Sequence, residues 1–292
     1  MRITVQSLSK RYHSGVKALN DIDLEISKGM FGLLGPNGAG KTTFMQIITT
    51  ILPASSGIVL YDQLQLGKDD HEIRRRIGYL PQYFGLYKNL SGEEFLDYIA
   101  IIKGLKNHEH RKKHIQDLLE LVNLNDKKKD KIKTYSGGMK QRIGIAQALV
   151  GNPEVVIVDE PTAGLDPEER VRFRNLLSEF SDDRIVLLST HIVADIEHSC
   201  SSFAVMDAGK VKFYGDSEQL IEKYRRKIWT GQLSEDEWNM LPDRQSVISR
   251  KKVKNGYEVR LFAENRLPQF DVVSEPTLED AYMALMGSKS NA

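Results

Sequence analysis

The stretch Gly35-Pro36-Asn37-Gly38-Ala39-Gly40-Lys41-Thr42 decides the architecture of this 292-residue chain. It fits G-x-x-x-x-G-K-[ST], and Met30–Leu34 in front of it is apolar apart from Gly32. An apolar run without alternation predicts a strand covered on both faces, and Thr43–Thr50 after the loop predicts a helix. The glycines let backbone N–H groups converge on phosphate oxygens, Lys41 reaches β- and γ-phosphates, and Thr42 offers a hydroxyl to Mg²⁺. Nucleotide binding is therefore expected of Gly35, Pro36, Asn37, Gly38, Ala39, Gly40, Lys41, Thr42 and Thr43.

Outward from the loop, Val155–Val158 and Ile185–Leu188 are two more short apolar runs with polar ends. Three covered strands separated by helical stretches predict a mainly parallel α/β core. Ile22, Leu24 and Ile26 instead alternate with Asp21, Asp23 and Glu25, the period-two pattern of a strand with one wet face. That predicts an antiparallel β subdomain at the N-terminus. Between about 83 and 150 the pattern turns helical. Ser91-Gly92-Glu93-Glu94 reads as a capping box, Gly104 as a stop, and Ile115, Leu118, Leu119 and Val122 share one helix face. A hairpin is expected around Ala208-Gly209-Lys210, then a helix from Ser217. The boundary is placed at 220. The remaining 221–292, with a strand at Tyr257, Val259 and Leu261 and a helix after Thr277, predicts a small α+β extension; about 70 residues is little for an independent core.

Two adjacent acids close the second apolar run. Strand ends in parallel sheets face ligands, so Asp159 suits the Mg²⁺ shell. Glu160, one residue on, is expected to project to the other side of the strand end and polarise a water. Composition narrows the classes. Forty-one basic residues against 40 acidic ones leave a net charge of +1, which excludes a polycation, and no specific nucleic acid is expected as partner. Arg74–Arg76, Lys127–Lys131 and Arg225–Lys227 read as solvated surface, as do His108, His110 and His114 beside Arg111. No apolar run approaches the roughly 20 residues of a membrane span, and no apolar leader precedes a cleavage site. The single cysteine, Cys200, excludes an intramolecular disulfide framework. These features predict a soluble, cytoplasmic chain.

With both loops in hand, the chain resembles an ABC-transporter ATPase. Tyr135-Ser136-Gly137-Gly138-Met139-Lys140-Gln141-Arg142 is similar to the signature motif usually written LSGGQ, departing at Tyr135 and Met139. Gln82 in Leu80-Pro81-Gln82 resembles the Q-loop glutamine, which contacts the metal and signals to a membrane partner. Ala163-Gly164-Leu165-Asp166 resembles the D-loop, while Asp166-Pro167 also reads as an N-cap with proline behind it. His191 matches the switch histidine, and Tyr12 the aromatic that stacks on adenine. The resemblance implies a P-loop NTPase core over 1–220, ATP and Mg²⁺ as cofactors, and Glu160, His191 and Gln82 as catalytic residues. It implies Thr42, Gln82 and Asp159 at the metal, and Ser136, Gly137 and Gly138 closing over ATP held by a second ATPase domain. A homodimer or heterodimer follows.

Ser274–Tyr282 and Gly78–Leu105 resemble ATPase subunits of bacterial drug, antibiotic and lantibiotic exporters. That branch implies a separate integral-membrane permease, a peripheral place on the cytoplasmic face of the membrane, and export of a small molecule or peptide. The competing class is a soluble ABC ATPase acting on ribosomes or nucleic acid. Such proteins usually carry two ATPase domains or a long heptad insertion, and this chain has one set of motifs and no sustained heptads.

Overall fold

The computed structural model describes residues 1–162, 166–241 and 246–287. The chain forms two compact units, Met1–Tyr214 and Gly215–Ala292. Residue 220, the boundary expected from sequence, lies inside the helix Ser217–Tyr224, which belongs whole to the second unit. The first unit runs β1 (Ile3–Arg11), β2 (Lys17–Ile26), β3 (Gly29–Leu34), α1 (Lys41–Ile48), β4 (Ser56–Tyr61), β5 (Leu64–Gln65), α2 (Asp70–Arg76) and β6 (Ile77–Leu80). It continues with α3 (Gly92–Ile102), α4 (His108–Leu121), α5 (Gly137–Leu149), β7 (Val155–Asp159), α6 (Pro167–Glu179), β8 (Ile185–Thr190), α7 (Val193–Glu197), β9 (Ser202–Asp207) and β10 (Lys210–Gly215).

The central sheet has the order β10-β9-β3-β8-β7-β6, with β9, β3, β8, β7 and β6 parallel. Its apolar runs are continuous because alternate side chains feed two cores. Val155, Ile157, Ile185 and Leu187 join one hydrophobic cluster with Phe44, Ile47 and Ile48 of α1. Their neighbours Val156, Val158, Val186 and Leu188 join another on the opposite face with Phe95, Leu118 and Ile143. β6 was not expected, because it is four residues long and carries Gly78. That glycine is a packing requirement: a Cβ there would run into the Ala148 carbonyl of α5.

The N-terminal strands form the expected antiparallel sheet, in the order β2-β1-β4-β5. In β2, Ile22, Leu24 and Ile26 are buried while Asp21, Asp23 and Glu25 are exposed. Between β9 and β10, Ala208 and Gly209 both have positive φ, the primed turn geometry that matches strand twist.

The insertion packs α3, α4 and α5 together. Ser91 caps α3 in a complete capping box with Glu94, as its sequence implies. Arg111, read from sequence as part of a solvated face, is buried; its Nε donates to Asp97 Oδ1 at 2.6 Å and Nη1 to the Leu105 carbonyl at 3.0 Å. His114 Nε2 accepts from the Gly151 N–H at 3.1 Å, and burial lowers its pKa. Among the described residues, no three or more His, Cys, Asp or Glu side chains are grouped so as to hold a metal ion.

The second unit comprises α8 (Ser217–Tyr224), β11 (Ile228–Leu233), α9 (Glu235–Asn239), β12 (Val247–Val253), β13 (Gly256–Phe262), β14 (Asp271–Val272) and α10 (Leu278–Gly287). Its antiparallel sheet has the order β12-β13-β11-β14, and Trp229, Trp238, Val259, Leu261 and Phe270 form its core. Asp280 joins helix to sheet. Its Oδ2 accepts from the Thr277 N–H at 3.0 Å and from Arg260 Nη1 of β13 at 2.7 Å, and the Asp280 side chain is 6% exposed. Asp280→Ala removes the acceptor for both donors and is expected to destabilise this unit by about 2 kcal/mol, measured by urea unfolding. An unchanged midpoint would show that water replaces the carboxylate.

Candidate nucleotide site

α1 starts at a loop built for an anion. Gly38 and Gly40 have φ of +82° and +102°, which β-carbon-bearing residues adopt only under strain. A Cβ at Gly40 would stand 2.6 Å from the Ala18 carbonyl oxygen, whereas at Gly38 it would meet no protein atom within 4 Å. The helix has no side-chain N-cap and no acid in its first turn, so its first N–H groups are left to a ligand. A cavity of about 550 Å³ lies in front, lined by Asn37–Thr43, Gln82, Tyr83 and Glu160. Val16–Ala18 and the Ala208–Gly209 turn complete it. These last two segments were not expected at the site, because turn residues far away in sequence carry no phosphate-binding pattern.

Lys41 is the centre of the loop. Its Nζ donates to the Gly35 carbonyl at 2.7 Å and to that of Pro36 at 3.2 Å, and lies 3.2 Å from Glu160 Oε1. The two side chains are only 4% and 8% exposed. The other carboxylate oxygen, Oε2, is 3.2 Å from Gln82 Nε2 and 3.3 Å from His191 Nδ1. Three residues singled out one by one in the sequence thus meet on a fourth.

The acids are arranged differently from the strand-alternation expectation. Glu160 takes φ +46° instead of continuing β7, and its N–H is held by the Ser189 carbonyl at 3.1 Å and hydroxyl at 3.2 Å. Its carboxylate meets Lys41, which also acts on Asp159. Burial raises the Asp159 carboxyl above its ordinary pKa; the hydroxyls of Ser189 and Thr42 pull it down, Glu160 pushes it up and Lys41 lowers it. The Ser189 hydroxyl donates to Oδ1, while Oδ2 is buried with no hydrogen-bond partner. An unpartnered buried carboxylate oxygen beside Thr42 is the donor set a divalent cation needs, so these residues fit Mg²⁺. Ser189 was not assigned a role from sequence, because its partners are 30 and 29 residues away.

Tyr12 does not line the cavity; its hydroxyl is 3.2 Å from Thr43 Oγ1, which does, and its ring lies under Lys10 Nζ at 5.6 Å. Ser136 and Gly137 are exposed and do not line the cavity. Ser136 caps α5, accepting from the Met139 N–H at 3.2 Å. The Tyr135 ring is buried and its hydroxyl donates to the Lys127 carbonyl at 2.8 Å. Asp166 caps α6 with Pro167 behind it and is also outside the cavity, while Ala163, Gly164 and Leu165 lie outside the described residues. One link unseen in the sequence joins the two regions: Gln141 Nε2, one turn into α5, donates to the Pro161 carbonyl at 2.7 Å.

A parallel sheet with this loop and paired acids at its strand ends defines the class: a P-loop NTPase. Residues 19–163 match the family described as ABC transporter. The chain is 36% identical over 231 residues to the uncharacterized ABC transporter ATP-binding protein YxlF of Bacillus subtilis (strain 168), covering 78% of this chain and 75% of that protein. It is 34% identical over 224 residues to the linearmycin resistance ATP-binding protein LnrL of the same organism, covering 76% and 71%. A solved structure, the dimeric post-hydrolysis state of the ATP-binding cassette MJ0796 bound to ADP and Pi, superposes with a TM-score of 0.67 at 27% identity, covering 73% and 98%. The chain belongs to the ABC transporter ATP-binding proteins and is an ATPase.

Proposed function

We propose that this ATPase energises export through a separate membrane permease. The observation that carries the reading is a path from the acid to an apolar surface. Gln82 touches Glu160, Tyr83 beside it is 87% exposed, and Tyr87 packs edge-on against Tyr98 with ring centroids 5.4 Å apart. Tyr98, Ile101 and Ile102 lie exposed on α3. Large apolar side chains clustered in water fit a partner segment, and their continuity with Gln82 lets that segment sense the nucleotide. No described helix is long and apolar enough to cross a membrane; in this reading the translocation path is supplied by the permease. The relative named for linearmycin resistance supports export as the direction.

The chemistry follows from the residues. Lys41 and the α1 N-terminus bind phosphates, and Thr42, Asp159 and Gln82 would hold Mg²⁺, which would supply charge neutralisation. With phosphates in the loop, Lys41 has a stronger anionic partner than Glu160, freeing the carboxylate to take a proton from water. Gln82 and His191 keep it aimed. Tyr12 stacks on the adenine ring. Ser136, Gly137 and Asp166, which are exposed, and the half-buried Gly138 do not line their own cavity and serve the nucleotide of a second ATPase domain; the dimeric relative supports that arrangement.

Affinity purification from the native host in mild detergent tests the proposal. Wild type is expected to bring down a multi-span membrane protein in comparable amount, and Ile102→Asp, a change at a 64% exposed position, to lose it while keeping basal ATP hydrolysis. Recovery of ribosomes or nucleic acid with no membrane protein would overturn the export reading and leave the ATPase chemistry standing.

A further inference from the structure

Asp195 is a buried acid that takes no part in the nucleotide-site contacts described above. Asp195, on the short helix α7, has a side chain with no exposure. Its Oδ2 accepts from two hydroxyls, Thr162 Oγ1 at 2.8 Å and Thr190 Oγ1 at 3.0 Å. Its Oδ1 faces Arg174 Nη1 of α6 at 3.7 Å, and the same guanidinium nitrogen donates to the Ala194 carbonyl at 3.3 Å. Thr190 Oγ1 also accepts from the Ile192 N–H at 3.0 Å, so the backbone on both sides of His191 is held.

A fully buried carboxylate is expensive unless every contact it makes is useful, and apolar residues would fill the same space more cheaply. Its location shows what it holds. Thr162 lies two residues after Glu160, and Thr190 immediately before His191. One oxygen therefore fixes the spacing of the two backbone segments whose side chains meet at 3.3 Å, His191 Nδ1 and Glu160 Oε2. Arg174 adds α6, the helix that Asp166 caps. Asp195 is absent from the cavity lining, so it reaches the reaction only through these neighbours.

We infer that Asp195 is a positioning residue for ATP hydrolysis, which sets the His191–Glu160 distance through Thr162 and Thr190 and ties it to the middle of α6 through Arg174. The inference rests on Glu160 and His191 being the catalytic pair. Sub-ångström displacement of a general base weakens the reaction while leaving nucleotide contacts untouched. The expected signature is therefore on kcat and not on KM.

The test uses the full chain with three variants. Thr162→Val removes a hydroxyl at constant shape, Thr162→Ser keeps it, and Asp195→Asn keeps the shape without the charge. Thr162→Val and Asp195→Asn are expected to lower kcat about tenfold with KM for ATP within about twofold, and Thr162→Ser to restore most of the rate. Thr162→Val in the Asp195→Asn background is expected to add little, because both changes break one interaction. Either a kcat within twofold of wild type in both single variants or an equal loss in Thr162→Ser and Thr162→Val overturns the inference. If Asp195→Asn does not fold, the two Thr162 variants decide it alone. Glu160→Gln, assayed alongside, separates the two readings. Wild-type turnover there removes the catalytic pair itself, whereas an inactive Glu160→Gln with normal Asp195 and Thr162 variants removes only the positioning role.

Discussion

Glu160→Gln is expected to lower steady-state phosphate release by about 10³-fold while ATP remains bound and a dimer accumulates on gel filtration. The substituted amide has the size and reach of the carboxylate, and its oxygen can still accept from Gln82 Nε2 and lie beside His191 Nδ1. The backbone at φ +46° is no harder for glutamine than for glutamate, and the two Ser189 contacts to its N–H are unaffected. What disappears is proton affinity. Lys41 keeps the Gly35 and Pro36 carbonyls as acceptors, so the phosphate loop survives. A variant that turned over within twofold of wild type would show that another group activates water.

Lys41→Ala is expected to weaken ATP binding about 100-fold, because a desolvated cation that faces phosphates is removed outright. It also leaves the Glu160 carboxylate, 8% exposed, with neutral or titratable partners only. Breaking a buried ion pair by deleting one member costs about 3 kcal/mol of stability, most of it the penalty of the charge left behind. The two effects separate in the double variant. Lys41→Ala with Glu160→Gln is expected to regain most of the lost stability in urea unfolding and none of the affinity in a fluorescent-nucleotide titration. If the double variant were as unstable as Lys41→Ala, the loss would lie in the packing of the lysine stem and not in the orphaned charge.

The covered strands and the phosphate loop were legible in the sequence because their physics is local. A strand buried on both faces has no polar position to spend, so β3, β7 and β8 read as apolar runs. A loop that must wrap phosphates needs glycine where φ is positive, as at Gly38 and Gly40. Capping is equally local, and Ser91, Ser136 and Asp166 cap the helices their motifs open. Elements whose residues answer to distant partners were opaque. β6 carries a glycine because α5 passes over it, and β12 is an edge strand bearing Ser249-Arg250-Lys251-Lys252, exposed charge that hides it from any apolar pattern. Arg111 looked solvated beside its lysines and is buried at the α3–α4 junction.

The same division runs through the site. Residue types and their order along the chain, from the loop at Gly35 to Asp159-Glu160 and His191, were enough to name an ATPase, since a phosphate-binding loop and strand-end acids carry local patterns. Tertiary structure alone decided that Lys41, Gln82 and His191 converge on one carboxylate, that Ser189 holds the turn placing it there, and that Asp195 braces the segments around it. The reason is range. A capping or phosphate-binding pattern is satisfied within one turn of backbone, whereas these contacts join residues as many as 119 positions apart, Lys41 to Glu160, and exist only once parallel pairing of β7 with β8 brings the strand ends level.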